Sequence, residues 1–287
     1  MKPLGRQCGI VTLLAAAVLT ASCGSSPMSP ATVGPVSPPV TATNPPPVIE
    51  SIVASASRAE VDTDVTLTAT VRDAETPAAQ LKFEWKADAG TFTGQGPSVQ
   101  WRAPKGTQTP ADYAVRLTVT ESYGTGGSQQ NVVNGTAPSV RLHDSPKELE
   151  NLSMAFLVDF ANSSVSPSTC VRDFSDGCRG KADEKSDIES NREHFMITNS
   201  SLRFQSVRVS PSGMSADTSV ACSFTSRITK CEPGDRSCVV GSVGTVAGDC
   251  ALTAVYEQQR WWLCTSNFLN GRQVPLAFRS FFSSKPN

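Results

Sequence analysis

Residues 113–120 read YAVRLTVT, and this stretch decides the fold of the first half of the chain. Apolar residues stand at every second position and polar or small residues stand between them. Successive side chains of a strand point to opposite faces, so the alternation predicts a strand with one face in a core. The same pattern recurs at residues 65–71 and 81–87, with clusters of turn-forming residues between the runs. We therefore predict an all-β sandwich over residues 48–136.

Four segments of this sandwich carry a family resemblance: FEW at 83–85, GTFTG at 90–94, VQWRAP at 99–104 and YAVRLTVT at 113–120. They resemble the immunoglobulin-like domains of the polycystic-kidney-disease-repeat type, which occur in many bacterial surface proteins. The resemblance implies an immunoglobulin-like β-sandwich. Trp85 and Trp101 fall at inward-facing strand positions, and we assign both to its core.

The N-terminal segment has the pattern of an export signal. Residues 9–23 read GIVTLLAAAVLTASC, behind the basic residues Lys2 and Arg6. This apolar run is shorter than the roughly 18 residues that a membrane-spanning helix needs. It ends in small residues, which is typical of a signal-peptide cleavage site. We predict that residues 1–22 are a signal peptide.

The end of that segment predicts a lipid anchor. Residues 19–23, LTASC, resemble a bacterial lipobox, which implies cleavage before Cys23 and acylation of its thiol (a palmitate-type modification). Thr20 stands where the pattern has an aliphatic residue, so secretion without a lipid stays open. Because Gly24 and not aspartate follows the cysteine, the resemblance implies the outer membrane in a cell that has one.

The next segment is a spacer. Residues 23–47 hold eight prolines and no charged residue, which predicts an extended tether.

With 25 basic and 26 acidic residues, the net charge is −1. A chain without a basic excess does not attract nucleic acid, so we exclude that partner class.

Seven of the nine cysteines follow residue 169, in the last domain. In an exported protein such a set predicts disulfides, with one thiol left over. We propose the pairs Cys170–Cys178, Cys222–Cys250 and Cys231–Cys238, leaving Cys264 as the odd thiol, and other pairings stay open.

After a linker at residues 137–144, the pattern changes to helices followed by strands. Ser145, Pro146 and Glu148 form a capping box, which predicts a helix to about residue 162. A second helix is predicted over residues 181–195. Ile188 and Phe195 face inward on it, and its five acidic residues face water: Asp183, Glu184, Asp187, Glu189 and Glu193.

Alternation at residues 220–228 and 250–256 then predicts long antiparallel strands, with a further strand from Trp261 after a tight turn. The phase of the apolar residues changes around Gln205, which predicts a β-bulge there.

Helices before an antiparallel sheet define an α+β domain over residues 145–287. It resembles the cone-shaped NTF2-like fold on the segments FLVDF (156–160), DIESNRE (187–193) and YEQQRWWLC (256–264). The resemblance implies two or three helices on a curved sheet with a pocket at the wide end. That family includes isomerase-like and dehydratase-like enzymes as well as non-catalytic binding modules, so the fold alone does not choose.

The titratable and aromatic residues give only weak candidates for a site. Asp159 and His194 are the best pair for acid–base catalysis, but no family motif covers them. Tyr256, Trp261, Trp262 and Phe281 are candidates for a pocket or an interface.

Cysteine and histidine spacings match no zinc site, and no nucleotide-binding or hydrolase motif occurs, so we expect no metal and no cofactor. The sequence favours a lipid-anchored envelope protein whose terminal domain binds an unidentified ligand or protein without catalysis. A small-molecule enzyme and a structural part of an envelope assembly stay open.

Overall fold

The computed structural model describes residues 44–236 and 238–268, and these are mostly β-strand with few helices. The predicted signal peptide, Cys23, most of the tether and Phe281 lie outside the described residues. All described residues belong to one compact unit that begins at Asn44. No helix among them is both long and apolar enough to cross a bilayer.

The first half of the described chain is built from short strands. These are β1 (Val48–Ala54), β2 (Arg58–Glu60), β3 (Asp64–Arg72), β4 (Lys82–Ala87), β5 (Thr91–Thr93), β6 (Ser98–Arg102), β7 (Ala111–Tyr113), β8 (Val115–Tyr123), β9 (Gln129–Thr136) and β10 (Val140–His143). They form one sheet in the order β1-β3-β6-β5, a second in the order β4-β8-β9, and a small third in the order β2-β10-β7.

The first two sheets share a core, as the alternating pattern predicted. Leu67 of β3, Trp101 of β6 and Val115 of β8 are fully buried in the same apolar cluster. Trp101 donates from its indole nitrogen to the Ala89 carbonyl at 3.0 Å, so the one polar atom of the ring is satisfied inside the core. Trp85 is partly buried against the same cluster.

The predicted linker at residues 137–144 contains strand β10. Residues Val140–His143 pair in parallel with β2 and antiparallel with β7, and Val140 and Leu142 are fully buried. The chain then enters the first helix at Ser145 with one residue between the two elements. Little free chain therefore separates the sandwich from the first helix.

The second half holds three helices and four strands. These are α1 (Ser145–Ala161), α2 (Pro167–Cys170), α3 (Gly180–His194), β11 (Phe195–Val209), β12 (Ser215–Ile228), β13 (Val243–Glu257) and β14 (Arg260–Phe268). The strands form an antiparallel sheet in the order β11-β12-β13-β14. Phe156 and Phe160 of α1 bury against Phe224 and Val220 of β12 on one face of this sheet.

Two details of this sheet match the sequence-based expectations. The pairing of β11 with β12 shifts register between Phe204 and Ser206, which confirms the bulge near Gln205. The tight turn between β13 and β14 consists of Gln258 and Gln259, both with positive φ (50° and 62°). Two successive left-handed residues are the signature of a type I′ hairpin, whose twist matches that of the strands.

The start of α1 differs from the prediction by one residue. Asp144 is the N-cap, and its carboxylate accepts from the Lys147 amide at 3.1 Å. Glu148 reaches back to the Asp144 amide at 3.1 Å, as a capping glutamate does. The hydroxyl of Ser145 is therefore not used as a cap and is free to bond across to the sandwich.

The predicted polar face of α3 is wrong at one position. Glu184 is 7% exposed and accepts a hydrogen bond from the Ser266 hydroxyl of β14. Burial raises the pKa of this carboxyl to about 7. The charge pattern of the helix placed Glu184 in water, but α3 lies against β14 through this side.

Three disulfide bonds cross-link the second half of the chain. The pairs Cys222–Cys250 and Cys231–Cys238 are confirmed, with Cα atoms 6.0 and 5.7 Å apart. The pair Cys170–Cys178 is wrong, because Cys178 bonds to Cys264 across 86 residues of chain. Cys170 is the free and buried thiol, in the place predicted for Cys264.

Candidate functional site

A group of bonded polar and aromatic side chains lies where the sandwich meets the second half. We call it the junction cluster: Arg58, Glu60, His143, Ser145, Glu148, Tyr256 and Trp261. Strands β2 and β10 are paired neighbours and α1 follows β10 almost directly, so these three elements meet at one place. The β13–β14 hairpin adds Tyr256 and Trp261 from the far end of the chain.

Ser145 is the centre of this cluster and is 1% exposed. Its amide and its hydroxyl both donate to the Glu60 carboxylate, at 2.9 and 2.7 Å. The indole nitrogen of Trp261 donates to the same hydroxyl at 2.9 Å. One serine thus joins the sandwich, the first helix and the terminal sheet.

Arg58 reinforces the same contact from β2. Its guanidinium bonds to Glu60 at 3.1 Å and donates to the Gly213 carbonyl at 2.7 Å. It also lies 3.6 Å from the centre of the Tyr256 ring, in cation–π geometry. Arg58 therefore contacts the turn before β12 and the end of β13 together.

A hydrogen-bonded relay runs through the fully buried His143. Its Nδ1 lies 2.8 Å from the Glu148 carboxylate, and its Nε2 lies 2.8 Å from the Tyr256 hydroxyl. Burial works to raise the pKa of Glu148, but its interactions with His143, together with hydrogen bonds from Thr109 and the Asp144 amide, outweigh burial and lower that pKa. An ionised Glu148 accepts a hydrogen bond from Nδ1–H of His143.

This tyrosine–histidine–glutamate arrangement resembles a catalytic one, but its tyrosine does not fit the role of a base or nucleophile. A tyrosine that acts as a base or nucleophile needs a lowered pKa. Burial raises the pKa of Tyr256, and this effect exceeds the opposing charge of Arg58. The phenol remains neutral and serves as a hydrogen-bond donor inside the junction.

A groove of about 990 Å³, open to solvent, runs beside the junction cluster. Arg58, Glu60 and Asp144 line one side, and residues 209–213 of the β11–β12 turn line the other. The start of α1 opens on this groove, but its Ser145 amide binds Glu60 and its Lys147 amide binds Asp144. The positive end of the helix dipole is therefore neutralised by the protein's own carboxylates.

The predicted catalytic pair is engaged with different partners. The Asp159 carboxylate binds Arg172 at 2.6 Å. His194 contacts the Ser190 carbonyl at 3.0 Å and lies 3.3 Å from the Glu232 carboxylate. It is 5% exposed. Asp159 on α1 and His194 at the end of α3 each have a structural role that accounts for their position.

A second, smaller cleft lies beside the end of α3. Its void of about 380 Å³ includes space open to solvent, and Phe160, Phe195 and Ile197 give it an apolar lining. Arg192 borders it, but its guanidinium bonds to the Asp159 and Phe160 carbonyls at the end of α1 and to those of Asn162 and Val165 just beyond it. This arginine holds the end of α1 and presents no free charge to the cleft.

The predicted aromatic residues separate into two roles. Trp261 and Tyr256 lie in the junction cluster. Trp262, on the opposite face of β14, is partly exposed and stacks under the Arg260 guanidinium at 3.9 Å. Phe281 lies outside the described residues. No group of three or more metal-binding side chains occurs in the described part of the chain.

No sequence signal pointed to Arg58 and Glu60. They lie in a three-residue strand that carries no recognisable motif, and their partners are more than 80 residues away. Ser145 and Glu148 stood out, but as helix caps.

Comparison with known proteins adds weak likeness only. No protein-family model and no curated protein matches the chain. Over 42% of its length it is similar to the intermembrane space region of the chloroplast protein ARC6, at 9% identity, with 93% of that chain covered and a TM-score of 0.33. It is also similar to a conserved protein from Planctomyces limnophilus, again over 42%, at 16% identity, with 91% of that chain covered and a TM-score of 0.31.

Proposed function

We propose that this protein is a lipid-anchored component of the bacterial cell envelope. In this proposal Cys23 carries the acyl chains, the proline-rich tether holds the folded part away from the outer membrane, and an immunoglobulin-like sandwich precedes an NTF2-like domain. The terminal domain binds a partner without catalysis. The observation that carries the binding role is the interior of that domain, which is filled by side chains.

The filled interior supports binding over catalysis. Phe156, Leu157, Phe174 and Phe224 lie between the helices and the sheet, each 3% exposed or less. An enzyme site for a small molecule is usually a concave pocket with a few convergent polar groups. The groove beside the junction cluster and the cleft beside α3 are open, and the charged side chains next to them are bonded to other parts of the protein.

The junction cluster supports a model in which the folded part of the chain is a rigid body that carries the binding surface at the end of the tether. Because Ser145 bonds to both Glu60 and Trp261, the two halves are expected to move as one body. Tethered binding proteins benefit from such rigidity, since a fixed head loses less conformational entropy when its partner binds.

Three disulfides support a location outside the cytosol. Such bonds form and persist in oxidising compartments and are rare where glutathione keeps thiols reduced. The helices α1 to α3 on one face of a bulged four-stranded sheet support the NTF2-like proposal.

The anchor is tested by growing cells with an alkyne analogue of palmitate and detecting label on the full chain. We expect the wild type and the Cys8→Ala control to incorporate label and to fractionate with outer membranes. The Cys23→Ala variant is expected to lose both properties. Label on Cys23→Ala, or none on the wild type, would contradict the proposal.

The binding role is tested separately with a photo-crosslinking residue in place of single exposed side chains in living cells. We expect a discrete adduct from positions in the second half, such as Val158 and Val243, and none from Val53 in the sandwich. Adducts that form equally from all three positions, or from none, would contradict a binding role for the terminal domain.

A further inference from the structure

Glu121 is a buried carboxylate at a core position of the sandwich. It lies on β8 in phase with Val115, Leu117 and Val119, which are fully buried, and it is itself 0% exposed. No basic side chain in the part of the chain that the structure describes forms an ion pair with it. A carboxylate in such a place destabilises the fold unless hydrogen-bond donors replace the water that it loses.

Three neutral side chains donate to this carboxylate, each from a different segment. The side-chain amides of Asn44 and Asn131 donate to Oε2 at 2.7 and 3.0 Å, and the Thr76 hydroxyl donates to Oε1 at 2.5 Å. Burial by itself would raise the pKa of Glu121, but these bonds outweigh it and lower that pKa. Hydrogen bonds to an ionised acceptor are about twice as strong as those between neutral groups. We call Asn44, Thr76, Glu121 and Asn131 the Glu121 clamp.

The clamp holds the chain before its first strand begins. Asn131 stands directly opposite Glu121 in the β8–β9 pair, and its side-chain amide also donates to the Asn44 carbonyl at 3.1 Å. Asn44 is therefore bound through its side chain and through its backbone. Residues 45–47, three prolines, separate it from β1. The end of the proline-rich segment is thus fixed to β8 and β9 independently of β1.

Strand β1, which follows, has fewer contacts with the fold. It is the edge strand of its sheet and pairs with β3 alone. None of its seven residues is buried, and its pairing shifts register between Ile49 and Ser51. Ile49 and Ile52 pack against the core but stay partly exposed. An edge strand with so little buried surface is the part of a fold that opens most readily.

The order of clamp and strand along the chain decides how tension acts on the fold. A pull on the tether reaches Asn44 before it reaches Val48, the first residue of β1. While the clamp is closed, force passes from Asn44 through Glu121 and Asn131 into β8 and β9. β8 is the middle strand of its sheet and pairs with β9 over eight residues. The pull therefore acts on the centre of the sandwich and not on its edge.

We propose that the Glu121 clamp is the point at which the fold resists tension on the tether. While it is closed, β1 is shielded from a pull between the membrane and a partner bound to the terminal domain. β1 is loaded only after the clamp opens. The proposal rests on the tethered arrangement proposed above, but the clamp is measured on purified protein, so its test does not depend on the acylation of Cys23.

The test is a pull on single molecules of the full-length chain in optical tweezers at constant force. One DNA handle is attached to the thiol of Cys23, in a chain with Cys8→Ser, and the other to Val158→Cys, which is exposed on α1. Cys170 is buried and does not take a handle while the protein is folded. The force then enters through the tether and leaves through the second half of the chain. The time before the first extension step measures how long the clamp and β1 hold.

Three variants assign that lifetime to the clamp. Asn44→Ala removes the side-chain bond that joins the tether to Glu121, and we expect it to shorten the lifetime at least about tenfold. Glu121→Gln keeps the shape but removes the charge, and it should also shorten the lifetime, because the donors then meet a neutral acceptor. Asn134→Ala is the matched control, since Asn134 is an exposed asparagine of β9 that bonds to Thr118 and not to the clamp. Its lifetime should stay within about twofold of the wild type.

Thermal melts followed by circular dichroism show that each variant is folded before it is pulled. A lifetime that Asn44→Ala leaves unchanged would overturn the proposal, and so would a control that opens as fast as Asn44→Ala. Absence of the palmitate label would contradict the anchored arrangement and leave these lifetimes as they are, so the two failures can be told apart.

Discussion

The hydroxyl of Ser145 lies 2.7 Å from the carboxylate of Glu60, and this bond joins the first residue of α1 to a strand of the sandwich. Ser145 is buried, and its amide donates to the same carboxylate, which is partly exposed. The positive end of the α1 dipole therefore faces the Glu60 carboxylate, which belongs to a different part of the fold. This carboxylate occupies the place that an anionic ligand would take.

Replacement of Ser145 by alanine should therefore destabilise the whole protein. The change leaves the buried Trp261 indole nitrogen without its partner, which costs about 1–3 kcal/mol for a buried polar group, and removes one hydrogen bond to Glu60. Urea unfolding followed by tryptophan fluorescence measures the loss. Ser163→Ala, at an exposed position after α1, is the control and should stay within about 0.5 kcal/mol of the wild type. Equal stability of the two variants would show that the junction bond contributes little.

The buried Glu184 should make stability depend on pH. Its pKa is raised from the ordinary value of 4.5 to about 7 by burial, so the folded state binds the proton more tightly than the unfolded state does. The stabilisation is fully present below pH 4.5 and is lost as pH rises through about 7. The loss amounts to at most about 3 kcal/mol.

The variant Glu184→Gln stays neutral at every pH and should remove this dependence. We expect the difference in unfolding free energy between variant and wild type to grow in favour of the variant between pH 4.5 and 7. Glu189→Gln, on the exposed side of the same helix, should follow the wild type at every pH. A pH-independent difference for Glu184→Gln would mean that Glu184 is not the group responsible.

The disulfide pattern can be read directly by mass mapping of non-reduced peptides. We expect linked peptides for Cys178–Cys264, Cys222–Cys250 and Cys231–Cys238. Burial raises the pKa of the Cys170 thiol, so alkylation of that residue should require unfolding. Cys178→Ala should make Cys264 reactive in the folded protein, whereas Cys170→Ala should leave all three bonds in place. A linked Cys170–Cys178 peptide would contradict the structure.

Two glycines of the sandwich allow a matched steric test. Gly90 and Gly96 both have left-handed φ angles, +89° and +80°, so an alanine at either site costs about 1–2 kcal/mol in backbone strain. A Cβ at Gly90 would in addition overlap the Trp101 indole and the Arg102 carbonyl, whereas a Cβ at Gly96 would meet nothing within 4 Å. We expect Gly90→Ala to be the more destabilising by about 2 kcal/mol or more. Thermal or urea unfolding of the two variants compares them, and equal losses would show that the indole is free to shift.

Local patterns in the sequence predicted the parts of the fold that depend on near neighbours. Alternation placed Leu67 and Leu117 in the sandwich core, and a phase change located the bulge beside Gln205. Apolar cysteines on adjacent strands gave the Cys222–Cys250 pair. Each of these features is decided within a few residues of chain or across a single hairpin.

Features that depend on distant parts of the chain were missed. Cys170 and Cys178 are close in sequence, but Cys178 faces β14 and bonds there. Glu184 belongs to a charged helix face, and only the position of Ser266, 82 residues later, explains its burial. The expected linker contains a strand because β2 and β7 pair with it on either side. Residues 137–144 by themselves do not reveal these pairing partners.

The Cys178–Cys264 bond also bears on how the protein withstands proteases. It closes a covalent ring that contains α3, β11, β12, β13 and the loop held by Cys231–Cys238. A single cut anywhere inside this ring leaves every piece attached, so nicked protein should run as one band without reductant and as two bands with it. Cleavage that would release a fragment from an open chain therefore leaves the molecule whole.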